Sequence, residues 1–546
     1  MIRRITSVFI CLMIIAGICG CAKFSNTNTS DAGITDAGST QKDNVFTTGD
    51  GKTVIRILSG SENKELEDVL TDCAKETGIQ IQMTYKGSID IMRELADGAA
   101  DYDAVWPASS IWISLGDENH LVKHAVSISI TPVVFGIRQS LAKELGFMDK
   151  EVSVNDILTA INENKMSFCM TSATQSNSGA SAYIGFLYAL MGKQDGMTVQ
   201  DLQNADLQAR IKELLDGVER GSGSSDWLKE LFLNGNYDAM VNYESLIIDA
   251  NEQLVKEGKE PLQVIYPYDG LSISDSPLGY VDHGEGGKEK AFLAMQEYLL
   301  SAGTQETIEA TGRRISANTV SDKNKKVFNS DWGIDTDRIL SPIQMPDSEV
   351  LMEALDLYQT SFKKPSLNIY CLDFSGSMSG SGQEQLTNAM EQILVQKYAK
   401  ENLLQANDGE VNIAVLFDNT ILEVYKAADD SDEALQKLYD QVADYETKNG
   451  TDIYNAAAKA LEIASTYDLA AYTPAIILMT DGMSEENQKI FTDAYKEYGL
   501  DIPVFSITFG DADPTQLDWL AKQTKARVFD GTKDLSEAFR SVKGYN

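Results

Sequence analysis

Three short stretches of this chain place oxygen-bearing side chains in a pattern suited to a hard cation. Asp373, Ser375 and Ser377 alternate at a spacing of two, where the apolar run 367–372 gives way to Gly376 and Met378. On extended backbone that spacing puts the carboxylate and both hydroxyls on one side. Thr451 follows Gly450 at the start of a helical pattern, and Asp481 follows the apolar run 474–479 between Thr480 and Gly482. Hydroxyls and carboxylates are hard ligands that suit Mg²⁺, Mn²⁺ or Ca²⁺, not zinc or copper. No base sits within these pieces to activate a water, so hydrolysis is poorly served. Serines in such loops also cap helices, which is the plainer alternative.

The elements around them must bring the three pieces together. Apolar runs 367–372, 411–417, 422–425, 474–479 and 502–509 read as strands, with 526–529 as an edge, and helical patterns at 432–445 and 453–466 alternate with them. That alternation predicts an open, doubly wound parallel sheet, in which strand ends converge on one crevice.

A second group of hydroxyls lies nearer the N-terminus. Strand-like runs 53–58, 79–85 and 102–106 alternate with helical patterns at 62–77 and 89–98. The loops leaving those strands carry Ser59, Ser61, Ser88 and Ser109. A strand at 131–138 begins another set of elements, in which Ser176 and Ser178 precede the helical pattern 182–191 and Tyr243 follows Asn242. Hydroxyls beside exposed N–H groups at these positions make a cradle for an anion or small polar ligand. The same serines can serve as N-caps and nothing more. No cluster of arginines marks the loops, so a tightly held oxyanion is not assured.

At 546 residues the chain needs two or three domains, and its net charge of −36 disfavours nucleic acid and anionic lipid as partners. Histidine is scarce, which weakens a hydrolase reading. His120 and His124 are spaced as two ligands on one helical face, but no cysteine or carboxylate cluster accompanies them and 127–135 reads as strand. Cys73, Cys169 and Cys371 are too few and too scattered for a disulfide framework, leaving buried thiols or a Cys73–Cys169 bridge. The N-terminus opens Met1-Ile-Arg-Arg, then runs apolar to Ile18 before Cys19-Gly20-Cys21. A basic start and a short apolar stretch describe a secretory signal. Residues 22–51 are rich in Ser, Thr, Asn, Asp and Gly and read as a flexible tether with a reach of about 30 Å.

Three resemblances rest on these residues. Ile18-Cys19-Gly20-Cys21 resembles the bacterial lipobox, which implies cleavage after residue 20 and lipidation of Cys21, holding the protein on the outer face of the cell membrane. Leu58-Ser59-Gly60-Ser61, the 131–138 strand and the Ser/Gly loop at 176–181 resemble type 2 periplasmic solute-binding proteins over residues 52–345. That implies a two-lobed α/β domain closing by hinge motion on a small solute, with Ser59, Ser61, Ser88, Ser109, Ser176, Ser178 and Tyr243 facing the cleft. The pattern Asp-x-Ser-x-Ser, Thr, Asp over residues 365–546 resembles the von Willebrand factor type A (VWA) domain, a Rossmann-like α/β fold. It implies Ser375, Ser377 and Thr451 near a divalent metal, most simply Mg²⁺, with Asp373 and Asp481 completing the shell directly or through water. Residues 346–364 read as a stiff linker between the two domains. The whole implies a membrane-anchored, non-enzymatic binding or adhesion protein that recognises an acidic residue of a protein or surface polymer. An importer's solute receptor with an accessory VWA domain is the alternative.

Overall fold

Strand Val54–Gly60 buries Ile55, Ile57 and Leu58 completely, so it can only lie inside a sheet covered on both faces. The computed structural model describes residues 44–193, 196–284, 286–317, 319–446, 449–481, 484–509, 514–531 and 535–544. The signal segment, Cys21 and most of the tether lie outside the described residues. The strands are β1 (Val45–Thr48), β2 (Val54–Gly60), β3 (Gln80–Lys86), β4 (Ala104–Trp106), β5 (Val122–Ser127), β6 (Thr131–Arg138), β7 (Phe168–Thr171), β8 (Val218–Ser222) and β9 (Ala239–Tyr243). They continue as β10 (Leu262–Ile265), β11 (Ser272–Ser274), β12 (Pro277–Val281), β13 (Ser366–Asp373), β14 (Val411–Phe417), β15 (Ile421–Lys426), β16 (Thr473–Thr480), β17 (Val504–Thr508) and β18 (Val528–Asp530).

A first lobe is built on the sheet order β1-β3-β2-β4-β12-β5 and a second on β10-β6-β9-β7-β8, with β11 against β6. The chain crosses between lobes from β5 to β6 and returns from β11 to β12. β1 corrects the expected tether. Val45-Phe-Thr-Thr48 is β-branched and aromatic, and it adds antiparallel to β3 instead of remaining free. The predicted helix 62–77 divides into a 3₁₀ segment Ser61–Leu66, which turns Ser61, Glu62 and Asn63 inward, and an α-helix Glu67–Thr77. His120 and His124 share no helical face. Both have positive φ, His124 lies in β5, and its Nε2 is 2.8 Å from Glu289. Cys73, Cys169 and Cys371 are buried free thiols, so no Cys73–Cys169 bridge forms.

The segment read as a linker is built into the second lobe. Helix Ser348–Leu357 buries Val350, Leu351, Ala354 and Leu355 in the core that surrounds helix Asn177–Met191, itself buried from Asn177 to Leu190. Tyr183 of that central helix donates its hydroxyl proton to the Ala354 carbonyl at 2.9 Å. The apolar side of 348–357 has a period that needs a partner surface, and the second lobe supplies it.

The third sheet runs β15-β14-β13-β16-β17-β18, parallel except for β15. β13 is buried along its whole length between β14 and β16. Helices Ser381–Leu394, Asp432–Ala443 and Leu535–Gly544 form one packed group, and Ile453–Ala464 packs with Gln488–Tyr498 in another. This is the doubly wound arrangement that places loop chemistry at the carboxyl ends of the strands.

Leu351→Ala should lower stability by about 2–5 kcal/mol, as removal of a fully buried leucine does. Urea unfolding followed by circular dichroism measures it, and an unchanged midpoint would mean that 348–357 is only a spacer.

Candidate functional site

Register decides the geometry of the crevice. Leu372 of β13 pairs with Met479 of β16, so the next residues, Asp373 and Thr480, emerge side by side. Thr480 Oγ1 donates to Asp373 Oδ2 at 2.6 Å, and the Ser375 backbone N–H donates to Asp373 Oδ1 at 2.8 Å. Ser375 Oγ lies 3.0 Å from Ser377 Oγ, which donates to Asp481 Oδ1 at 2.9 Å. A continuous line of hydrogen bonds thus joins Thr480, Asp373, Ser375, Ser377 and Asp481, through the Ser375 N–H between the second and third. Thr451 is buried at the same loop cluster. The Gly376 N–H donates to the Asn449 carbonyl at 2.8 Å, and the Thr451 carbonyl accepts from Glu485 N–H at 3.0 Å.

Asp373 is 1% exposed, and burial pushes its carboxyl up to about 6. The bonds from Thr480 and Ser375 oppose that shift, while the nearby charge of Asp481 adds to it. Ser377 is exposed and Asp481 partly so, which leaves the crevice open on their side. Among the described residues no group of three or more His, Cys, Asp and Glu stands as a metal cage. The donor set here is instead two carboxylates with hydroxyls. That set fits a hard cation, because a positive charge would favour the ionised form of Asp373, which burial and the charge of Asp481 disfavour.

Sequence reading missed the buttress behind this cluster. Asp418, wholly buried just past β14, accepts from Asn449 Nδ2 at 2.7 Å and from Thr420 N–H at 2.8 Å. Its carbonyl accepts the Asp452 N–H at 2.9 Å, fixing the loop that carries Thr451. Its place at the end of a third parallel strand was the available signal.

Of the serines of the two-lobed domain, Ser61 bonds across the lobes, Ser176 and Ser178 bond each other, and Ser59 and Ser88 bond within the first lobe. Ser59 Oγ donates to the Gly60 carbonyl at 3.1 Å and accepts from Asn63 Nδ2 at 3.0 Å. Ser61 Oγ accepts from Ser224 Oγ of the second lobe at 2.9 Å, a direct bond across the cleft. Ser88 Oγ accepts the Ala108 N–H at 3.1 Å, bracing two loops of the first lobe. Ser176 and Ser178 share a buried hydroxyl cluster with Ser225 and Thr171 at 2.8–3.3 Å. Tyr243 OH accepts from Asn177 Nδ2 at 3.0 Å. Ser109 and Ser176 precede helices, yet neither makes a side-chain cap bond, so capping does not account for them. The lobes are shut at these loops: a Cβ on Gly87 would stand 2.2 Å from the Gln175 carbonyl oxygen.

Charged groups at this interface escaped the sequence reading. Glu62 is 4% exposed with Oε1 unpartnered, and Arg313 is fully buried with Nε and Nη1 unpartnered. Arg313 Nη2 donates to the Glu62 carbonyl at 2.6 Å and lies 3.3 Å from Glu65 Oε2. Burial pushes the carboxyls of Glu62 and Glu65 up to about 7, against the pull of the Arg313 charge. Arg313, next to Arg314 in a run that otherwise reads as a helix end, gave no hint of this.

The chain thus carries a two-lobed α/β domain followed by a parallel-sheet domain with an oxygen-lined crevice. Residues 55–314 match the family described as bacterial extracellular solute-binding protein, and residues 369–527 match the von Willebrand factor type A domain. The chain therefore joins a bacterial extracellular solute-binding domain to a C-terminal VWA domain. Similar solved structures include the substrate binding protein of an ABC transporter from Agrobacterium tumefaciens, at 12% identity and TM-score 0.41, covering 57% of this chain and 97% of that one. A ferric binding protein from Campylobacter jejuni matches at 16% identity and TM-score 0.40, covering 56% and 98%. A von Willebrand factor type A protein from Catenulispora acidiphila matches at 18% identity and TM-score 0.28, covering 34% of this chain and 43% of that one. Among curated proteins none matches. No described helix is long and apolar enough to cross a membrane.

The raised carboxyls of Glu62 and Glu65 set a pH dependence. Between their ordinary value of 4.5 and about 7 the folded chain holds protons that the unfolded chain has released. Stability should therefore fall as pH rises through that window, by on the order of 2 kcal/mol per group. Glu62→Gln should reduce the fall, and thermal melting from pH 4 to pH 8 measures both.

Proposed function

We propose that the VWA domain holds a divalent cation, most simply Mg²⁺, and through it binds a carboxylate on a protein or surface polymer. The supporting observation is the hydrogen-bonded line from Thr480 through Asp373, the Ser375 N–H and hydroxyl, and Ser377 to Asp481, at the solvent-open ends of two adjacent parallel strands. Ser375, Ser377 and Thr451 are the residues that would hold the cation, with Asp373 and Asp481 balancing its charge directly or through water. Bound there, a divalent cation supplies an electrophilic position that a partner's aspartate or glutamate can fill. Asp373 is oriented by Thr480 and by the Ser375 N–H, so its carboxylate is preset instead of being recruited by the ligand. The role is binding, without turnover. We further propose that Cys21 carries lipid and keeps the protein on the outer face of the cell membrane, several acyl chains giving a stable hold.

A second reading is a receptor that delivers a small polar solute to an ABC-type importer. It is favoured by buried Glu62, Asn63 and Arg313, whose unpartnered atoms Oε1, Oδ1, Nε and Nη1 lie at the closed interface of the lobes.

Titration calorimetry with MgCl₂ and MnCl₂ should show one cation bound per chain, with affinity lost at least tenfold in Asp373→Ala and Ser377→Ala. Absence of binding to the unsubstituted protein would defeat the metal reading. Cys21→Ser should move the protein expressed in bacteria from the detergent phase to the aqueous phase in Triton X-114 partition. A variant that stays in the detergent phase rules out a lipid on Cys21 as the anchor.

A further inference from the structure

The VWA domain does not hang free of the lobes. The Arg527 guanidinium lies over the Trp227 ring at 5.3 Å, and Trp227 belongs to helix Ser225–Asn234 of the second lobe. That helix is preceded by Ser224, whose hydroxyl reaches Ser61 of the first lobe. The last helix of the chain, Leu535–Gly544, goes further and lies across the seam itself.

Arg540 makes three attachments from this helix, one to each body. Its Nη1 donates to Asn402 Oδ1 at 2.9 Å inside the VWA domain. Its Nε stands 3.2 Å from Asp90 Oδ1, at the start of the first-lobe helix Ser88–Ala96, with the two side chains 12% and 14% exposed. Its backbone carbonyl accepts from the side-chain amide of Gln175, in the second-lobe loop that precedes Ser176. Gln175 also touches the first lobe directly, because its carbonyl accepts the Ile89 N–H at 3.5 Å and fills the space beside Gly87. Nearby, the position of a Cβ on Gly544 would fall 2.0 Å from Gln175 Oε1, so the helix end is fitted to that side chain. Lys543 fixes the helix to its own domain, donating to the Leu404 carbonyl at 2.7 Å and lying 3.3 Å from the buried Glu410.

We propose that the terminal VWA helix is a latch on the solute-binding domain, with Arg540 tying Asp90 of one lobe to Gln175 of the other. Opening the cleft separates Asp90 from Gln175, and the helix cannot follow both. The Arg540–Asp90 pair is mostly withdrawn from water; Arg93 at 3.8 Å is a second cation on Asp90, so parting the pair leaves Arg540 without a carboxylate in a poorly solvated place. Lobe opening therefore requires release of the helix. By linkage, anything that draws the helix away from the seam weakens closure, and a solute that stabilises closure holds the helix in place. The seam is thus a docking surface whose occupant is residues 535–544 of the same chain.

Hydrogen exchange with mass spectrometry on the full chain tests this. Amides at 87–91 and 173–178 report the contact between the lobes, and amides at 367–373 report the VWA core. In Arg540→Glu the first two sets should exchange about tenfold faster while 367–373 stays protected, as a shift in an open–closed equilibrium demands. Asp90→Arg combined with Arg540→Glu should restore slow exchange, and Gln175→Ala should give a smaller increase without any change of charge. If 87–91 and 173–178 keep their protection in both Arg540→Glu and Gln175→Ala, the lobes close without the helix and the proposal fails. Fast exchange at 540–544 in the unsubstituted chain would overturn it equally.

Discussion

Burying a carboxylate at the end of an apolar parallel strand is the constraint on which the C-terminal domain turns. Asp373 is carried into a low-dielectric position by β13, whose every residue is buried, and its ionised form is disfavoured there. Donors from a different strand and from its own following turn offset part of that cost. The in-register pairing of β13 with β16 supplies both Thr480 as donor and Asp481 as second carboxylate. β14 contributes Asp418 at the matching level, and that side chain fixes the loop of Thr451. One sheet edge thus determines where five separate oxygen-bearing groups stand.

The two-lobed domain solves the opposite problem. Ser61, Ser176 and Ser178 are turned toward other hydroxyls, forming a polar seam that satisfies itself. Glu62, Asn63 and Arg313 differ, with polar atoms left unpartnered beside that seam. Polar groups that satisfy themselves hold lobes together, while those left over define what a solute has to offer. The two sets sit side by side.

The domains are joined more intimately than a bead-and-linker arrangement allows. Helix Ser348–Leu357 belongs by sequence to the connection but by packing to the second lobe. Arg527, Arg540 and Lys363 lie where the VWA domain meets the lobes. Burial and the charge of Lys543 push the amine of Lys363 down to about 8. Interfaces of this kind transmit displacement because packed contacts have discrete arrangements.

The sequence by itself determined the strand–helix rhythm of both domains and the alternation that sets Asp373, Ser375 and Ser377 on one side of the chain. Both are properties of neighbouring residues, and β6 and β14 fall on the predicted runs 131–138 and 411–417 without adjustment. It also indicated that Asp481 follows an apolar strand and that Thr451 precedes a helix, since both are local signals. It did not show that Val45–Thr48 joins a sheet, that 348–357 fills a core, or that His120 and His124 avoid a helix. Those outcomes depend on which distant surface is free to receive them. The roles of Glu62, Arg313 and Arg540 were decided by tertiary structure alone, because a charge buried by chain far away in sequence leaves no mark on its own neighbours.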